Sequence, residues 1–190
     1  MPYWALPASD ILRAFAGSAG APTTVRRFAE LVAEARRRFV QDATWLKLDP
    51  VAVTGDTPVP FDLRTVWHEL DGENRETLLL SGDPAQTDPG DPLTLTPAEY
   101  TPHGPGNTPP NQGPYFGSHG RTPELLRLGL VDPRLRFLRE PEGDLGGPDP
   151  LVGAVQEWLG GTRPVSVLDF SGVPDEAAEL AICVVLHLLF

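Results

Sequence analysis

Two stretches of the chain carry apolar residues at helical spacing. The clearer one follows Pro22 and has apolar positions three and four residues apart: Val25, Phe28, Val32, Ala35 and Phe39. The other follows Asp62, which suits an N-cap, and places four apolar residues on one face: Leu63, Val66, Trp67 and Leu70. We also predict a short helix that ends near Gly17 and helices that begin at Thr122 and Asp149.

The polar faces of these helices look solvated. The basic run from Arg36 to Arg38 is interpreted as a solvent-facing surface, with a DNA or partner contact as the alternative. His68 lies off the apolar face of its helix and is predicted to be a surface histidine. From Arg134 to Arg139 apolar and basic residues alternate, so Leu135, Phe137 and Leu138 are expected to point inward.

Proline and glycine interrupt the helical pattern between Ser81 and Gly120. The sequence holds 22 Pro and 19 Gly, and their clusters leave this stretch with little periodicity. We therefore expect a long loop here, in part without fixed structure, after a short strand within 77–80. A loop of this length is unusual inside a compact domain and favours an insertion between two parts of a fold.

The chain from Pro164 onward predicts a strand, a turn and a helix. Residues 164–170 read as a buried strand, 171–174 as the turn and 175–190 as a helix that is apolar on nearly all sides. A strand followed by a helix is the first part of a βαβ unit, whose closing strand is not in this sequence. We therefore expect a piece of a larger α/β protein.

Charge and cysteine usage narrow the class of protein. The net charge of −11 argues against a nucleic-acid or anionic-membrane surface spread over the whole chain, although a local basic patch remains compatible with it. Cys183 is the single cysteine, so the chain cannot form an internal disulfide, which fits a reducing cytoplasm. With neither a secretory signal pattern nor an apolar run near 18 residues in the sequence, we expect a cytoplasmic protein.

Several common catalytic motifs are missing from the sequence. A phosphate-binding G-x-x-x-x-G-K-[ST] loop needs a lysine after glycine, and the only lysine, Lys47, follows leucine. The four histidines have no metal-ligand spacing, so a zinc site is not expected. The segment Gly117–Gly120 contains Ser118 next to His119, but adjacent residues rarely share a catalytic hydrogen bond, and a turn is the preferred interpretation.

One polar group follows the predicted C-terminal strand, where open α/β sheets bind ligands. It consists of Asp169, Ser171 and Gly172. The pattern resembles the Asp-x-Asp-Gly of haloacid-dehalogenase phosphatases, but Ser171 replaces the second Asp, so a phosphatase would lack its general acid. In the structural alternative, Asp169 accepts hydrogen bonds from backbone amides of the turn. A role lining the site of a larger ATPase also stays open.

Four short segments together resemble one family, the bacterial HerA-type ATPases of the HerA/FtsK branch of P-loop ATPases. They are, in chain order, Pro2–Pro7, Thr57–Leu63, Asp132–Leu138 and Val167–Pro174. The resemblance implies that the phosphate-binding loop precedes the first segment and that the strand with the catalytic acids follows the last. It also implies that the parent protein uses ATP and Mg²⁺, translocates DNA as a homo-hexamer and works beside a NurA-type nuclease.

No catalytic residue of the family can be transferred to this chain. In such rings an arginine of one subunit can reach the γ-phosphate held by its neighbour. The candidates here are Arg134, Arg136 and Arg139, chosen by charge and position only. Asp169, Ser171 and Gly172 are the residues expected near the nucleotide, and a metal site is not predicted.

The sequence therefore predicts an α/β fold, namely part of a RecA-like core with a mostly helical insertion. Its segments are 1–80 (helical), 81–120 (Pro/Gly-rich loop), 121–160 (helical) and 161–190 (strand and helix of the core). The first functional hypothesis is an internal segment of a HerA-like DNA translocase that is inactive alone. The alternative is a stand-alone α/β interaction module derived from such an ATPase, and a degenerate phosphatase using Asp169 is the weakest.

Overall fold

The computed structural model describes residues 2–17, 20–43, 45–106 and 108–139, together with Val167, Ala178, Glu179 and Ile182. In these ranges the helices are α1 Ala8–Ala16, α2 Pro22–Asp42, α3 Leu63–Arg75, α4 Thr122–Val131 and α5 Arg136–Arg139. The strands are β1 Thr77–Leu78, β2 Gln86–Asp88, β3 Glu99–Tyr100 and β4 Asn111–Gln112. Short 3₁₀ turns occupy Tyr3–Ala5, Pro50–Ala52 and Pro133–Leu135.

The described part of the chain is a mixture of helices and small antiparallel sheets. Strand β1 pairs with β4, and β2 pairs with β3, both antiparallel. The predicted strand and helix within 164–190 lie outside the described residues, apart from four single positions, so the expected RecA-like core stays a prediction. None of the helices in the described ranges combines the length and the apolar character needed to cross a lipid bilayer.

Helices α2 and α3 form where the apolar spacing predicts them. Pro22 opens α2 at a position where its missing N–H is not needed, and Phe28 and Val32 are buried. The Asp62 side chain caps α3 by accepting a hydrogen bond of 2.9 Å from the Arg64 N–H. All four predicted apolar residues of α3 are buried, which confirms this face: Leu63, Val66, Trp67 and Leu70.

The four longer helices share one hydrophobic core. Helix α1 contributes Ile11, Leu12 and Phe15, and α4 contributes Leu126 and Leu130. The indole N–H of Trp67 in α3 donates a 2.9 Å hydrogen bond to the Pro123 carbonyl at the start of α4. Segments that are far apart in sequence therefore belong to one packed unit.

Helix α4 approaches the end of α1 closely at Gly129. A β-carbon at this position would collide with the backbone carbonyl of Phe15. Because the obstacle is backbone rather than a flexible side chain, only glycine lets the two helices cross at this distance. Gly129 is therefore a packing residue, although it lies in the middle of a helix where glycine lowers helix propensity.

The Pro/Gly-rich stretch contains regular structure that periodicity does not predict. Strands β2, β3 and β4 lie within it, and the Ala85 N–H donates to the Thr77 carbonyl at 2.7 Å. Aspartate side chains close its turns, since Asp88 accepts from the Gly90 N–H and Asp91 from the Leu93 N–H, each at 2.8 Å. Backbone pairing and such turns order the chain without an apolar stripe.

The chain after α4 turns back toward the core. Helix α4 ends at Val131, just before Asp132 and Pro133, and Asp132 caps the following 3₁₀ turn through a 2.8 Å hydrogen bond from the Arg134 N–H. Leu138 in α5 is fully buried in the common core, which confirms its inward direction, while Leu135 is half-buried. The side chain of Phe137 lies outside the described set.

Candidate functional site

Two arginines of α2 organise the main polar clusters among the described residues. The first cluster, called here the Arg36 corner, comprises Arg36 and the chain segments around Trp4, Gly55 and Phe61. The Arg36 guanidinium donates to the carbonyls of Gly55 at 2.7 Å, of Trp4 at 2.8 Å and of Leu6 at 2.8 Å. It also lies over the Phe61 ring, 5.1 Å from the ring centre.

Burial changes the acidity of Arg36. The side chain is 0% exposed, and burial lowers the pKa of Arg36 to about 10, an effect that the nearby Asp56 carboxylate opposes. The guanidinium therefore stays charged at neutral pH, and backbone carbonyls supply the polar partners that water would otherwise provide. Its chemical role in this setting is to hold three chain segments together.

The prediction that the run from Arg36 to Arg38 faces solvent is wrong for Arg36. Arg36 is buried, Arg37 donates to the Val53 carbonyl at 3.1 Å, and only Arg38 fits the prediction. Arg38 is half exposed and pairs with Glu69 at 3.0 Å. The three positions differ because successive residues of a helix point about 100° apart, so one of them faces the core.

Tyr3 completes the Arg36 corner. Its hydroxyl donates to the Phe61 carbonyl at 2.6 Å and accepts from the Leu63 N–H at 3.1 Å. The ring packs edge-on against Phe61 and Phe15. The first two segments of the family resemblance, Pro2–Pro7 and Thr57–Leu63, are therefore in direct contact.

The second cluster, called here the Glu73 cluster, comprises Thr24 and Arg27 of α2, Glu73 of α3, and Tyr115 and His119 of the turn before α4. Arg27 binds the Glu73 carboxylate through two nitrogens, at 2.9 Å from Nε and 2.5 Å from Nη2. His119 Nε2 lies 3.8 Å from Glu73 Oε2, the oxygen that also accepts from Arg27 Nε. His119 Nδ1 lies 3.3 Å from Thr24 Oγ1, and both side chains are buried.

Asn74 positions the turn that carries His119. Its side-chain oxygen accepts from the His119 N–H at 2.8 Å, and its side-chain nitrogen donates to the Gly120 carbonyl at 3.1 Å. The Tyr115 ring stacks on the His119 ring with centres 5.6 Å apart. The Arg27 guanidinium lies over the Tyr115 ring, 5.6 Å from its centre. The turn is thus fixed to α3 by the hydrogen bonds of Asn74 and to α2 by the contact of the Arg27 guanidinium with the Tyr115 ring.

The charged groups of this cluster change one another's pKa values. Burial alone would raise the pKa of Glu73, but the nearby His119 ring and the hydrogen bonds from Arg27 outweigh it, and the pKa is lowered. The hydrogen bond with Glu73 raises the pKa of Arg27 further above its usual range. Burial raises the pKa of the neighbouring Asp71, Glu76 and Tyr100. An ionised Glu73 thus stands among groups that burial pushes toward their neutral forms.

In space, Thr24, His119 and Glu73 are arranged like a nucleophile, a base and an acid that orients the base. However, Thr24 is 0% exposed, so no substrate can reach its hydroxyl in this conformation. The cluster is therefore a structural network that fixes the Pro/Gly-rich stretch to the helices. Within the ranges described, no three His, Cys, Asp or Glu side chains are grouped so that they could hold a metal ion.

The predicted site residues fall into two groups. Asp169, Ser171 and Gly172 lie outside the described residues. Arg134 is exposed and binds the Asp132 carboxylate at 2.7 Å, while Arg139 donates to the carbonyls of Leu130 at 2.8 Å and Asp132 at 3.2 Å. Arg139 therefore holds the end of α4.

Arg136 is exposed at the start of α5. Together with Arg134 it follows the end of α4 on the protein surface. Arg134 and Arg139 both contact Asp132, so the structure does bring these two candidates to one place. Their roles toward a nucleotide stay predictions.

Sequence reasoning missed the polar residues that the fold brings together. His119 was recognised only as part of a turn, although its ring is buried against Thr24, which is 95 positions away. Arg27 and Glu73 are 46 positions apart, so no local pattern pairs them. A signal was present in the flanking glycines, which mark a turn that can carry a side chain inward.

Comparison with known proteins adds no assignment to this geometry. No protein-family model matches the chain, and a search of curated proteins gives no significant match.

Proposed function

We propose that the chain is a non-catalytic part of a HerA-type DNA-translocating ATPase. The observation that supports this most is the contact between segments that carry the family resemblance. Tyr3 of the first segment donates to Phe61 and accepts from Leu63 of the second. The two segments are about sixty residues apart in sequence and lie side by side in the fold. This is expected if both belong to one structural unit of the family and their resemblance to it is not accidental.

The third segment adds to this support. Leu138 of the Asp132–Leu138 segment belongs to the same hydrophobic core as Trp4 and Phe61. Three of the four segments therefore share one core, and the remaining segment, 167–174, falls almost wholly outside the described residues. In the proposal these segments form a helical unit attached to the ATPase core.

The proposal assigns nucleotide chemistry to other parts of the parent protein. The chain has no G-K-[ST] sequence, so a phosphate-binding lysine and the acids that hold Mg²⁺ would come from elsewhere in the parent. The parent would form a hexamer that moves DNA and works beside a NurA-type nuclease. Of the arginine candidates, Arg134 and Arg136 are the exposed ones, and they would be tested first as contacts to a neighbouring subunit.

Isothermal titration calorimetry of the purified chain tests the proposal. With ATP and Mg²⁺ we expect no binding in the micromolar range, because no phosphate-binding loop is present in the sequence. A P-loop ATPase titrated under the same conditions is the positive control. Micromolar, Mg²⁺-dependent binding to the chain would contradict the proposal.

Sequencing the DNA on both sides of the coding region tests the family assignment directly. We expect an in-frame phosphate-binding loop upstream and, downstream, a strand ending in acidic residues. Stop codons in place of both features would overturn the assignment to an internal segment.

A stand-alone interaction module is the second candidate. The observation that favours it is a continuous hydrophobic core between Trp4 and Leu138, to which each of the five helices in the described residues contributes a buried side chain. Such a module should be a monodisperse monomer in sedimentation velocity and should melt cooperatively. Self-association or aggregation of the isolated chain would instead favour a segment that is normally covered by its parent.

A further inference from the structure

We draw no further inference here: the strongest candidate, the exposed face of α4 that presents Leu128 and Val131 beside Arg127, is an unpartnered apolar face, and nothing in the described residues shows what covers it.

Discussion

Arg27 and Arg36 lie on the same helix and bind distant parts of the chain in opposite ways. Arg27 is partly exposed and holds a carboxylate, that of Glu73. Arg36 is fully buried and holds only backbone carbonyls among the described residues. The pKa of Arg27 is raised by its anionic partner, whereas burial lowers that of Arg36 to about 10.

The difference separates two ways of attaching a loop to a helix. An arginine–carboxylate pair near the surface depends on two ionised groups and weakens with salt and acid. A buried arginine on carbonyls depends on geometry, because carbonyls do not titrate. The Arg36 corner should therefore dominate stability, and the Glu73 cluster should dominate its dependence on conditions.

Replacement of Arg36 should have the largest effect. Arg36→Met keeps much of the side-chain volume but leaves the buried carbonyls of Trp4 and Leu6 without this donor, while the Gly55 carbonyl still accepts from the Ala8 N–H. We therefore expect a loss of about 4 kcal/mol in the free energy of unfolding. Urea denaturation measures it. Arg38→Met is the matched control from the same basic run and should cost less than about 1 kcal/mol, because its ion pair with Glu69 is exposed. Similar losses in the two variants would break the comparison.

Tyr3→Phe should have the next largest effect. It removes one hydroxyl that serves both the Phe61 carbonyl and the Leu63 N–H, which we expect to cost about 2 kcal/mol. Combined with Arg36→Met, the losses should not add, because both residues hold the N-terminal segment. The losses of Tyr3→Phe and Glu73→Gln should add, because Arg27 and Arg36, which anchor the two clusters, are nine residues or about 13 Å apart along α2. Additive losses with Arg36→Met would show that the corner is not one unit.

Glu73→Gln should cost about 1 kcal/mol, because it weakens the partly exposed pair with Arg27 while an amide oxygen can still accept one hydrogen bond. The loss should shrink in 1 M salt, which screens the native pair. Glu30→Gln, at a more exposed partner of the same arginine, is the control and should be close to neutral. A loss larger than that of Arg36→Met would reverse the ranking of the two clusters.

Acid should produce the smallest and most selective effect. The pKa of Glu73 is lower in the folded chain than its ordinary value of 4.5, so its stabilising contribution is complete above that value and is lost as pH falls through the folded pKa. The stability difference between the wild type and Glu73→Gln should therefore shrink on acidification. Because Asp71 and Glu76 have raised pKa values and shift stability the other way, the difference between variants is the quantity to measure.

The corresponding difference for Arg36→Met should stay about constant over the same acid range, from about pH 7 to below pH 4.5, since the hydrogen-bond acceptors of Arg36 are carbonyls. Denaturation curves at several pH values check both trends together. Parallel pH dependence in the two variants would contradict the distinction between them.

Local patterns predicted the helices because their information is local. The Asp62 cap and the apolar face of α3 lie within nine residues, and both are confirmed. The end of α4 before Asp132 is equally local. The Pro/Gly-rich stretch was harder, because its order comes from backbone pairing between residues that carry no apolar stripe, such as Thr77 with Gln112.

The polar clusters could not be predicted because their partners meet only in the folded chain. Arg36 belongs to the same basic run as Arg38, but it lies four residues after the buried Val32 and four before the buried Val40, so it faces the core. Its carbonyl partners on the N-terminal segment are seen only in the folded chain. The position of His119 depends on the hydrogen bonds that the Asn74 side chain makes from α3 to the His119 N–H and the Gly120 carbonyl. A charge run in sequence therefore says little about which of its members is solvated.

The crossing of α1 and α4 at Gly129 also bears on ancestry. A protein that inherited this helix crossing could not have exchanged that glycine for any other residue without moving one helix. The position should thus be invariant among true descendants, even where charges and loops have diverged beyond recognition. Candidate relatives can be screened by asking whether a glycine falls at the matching point of their corresponding helix.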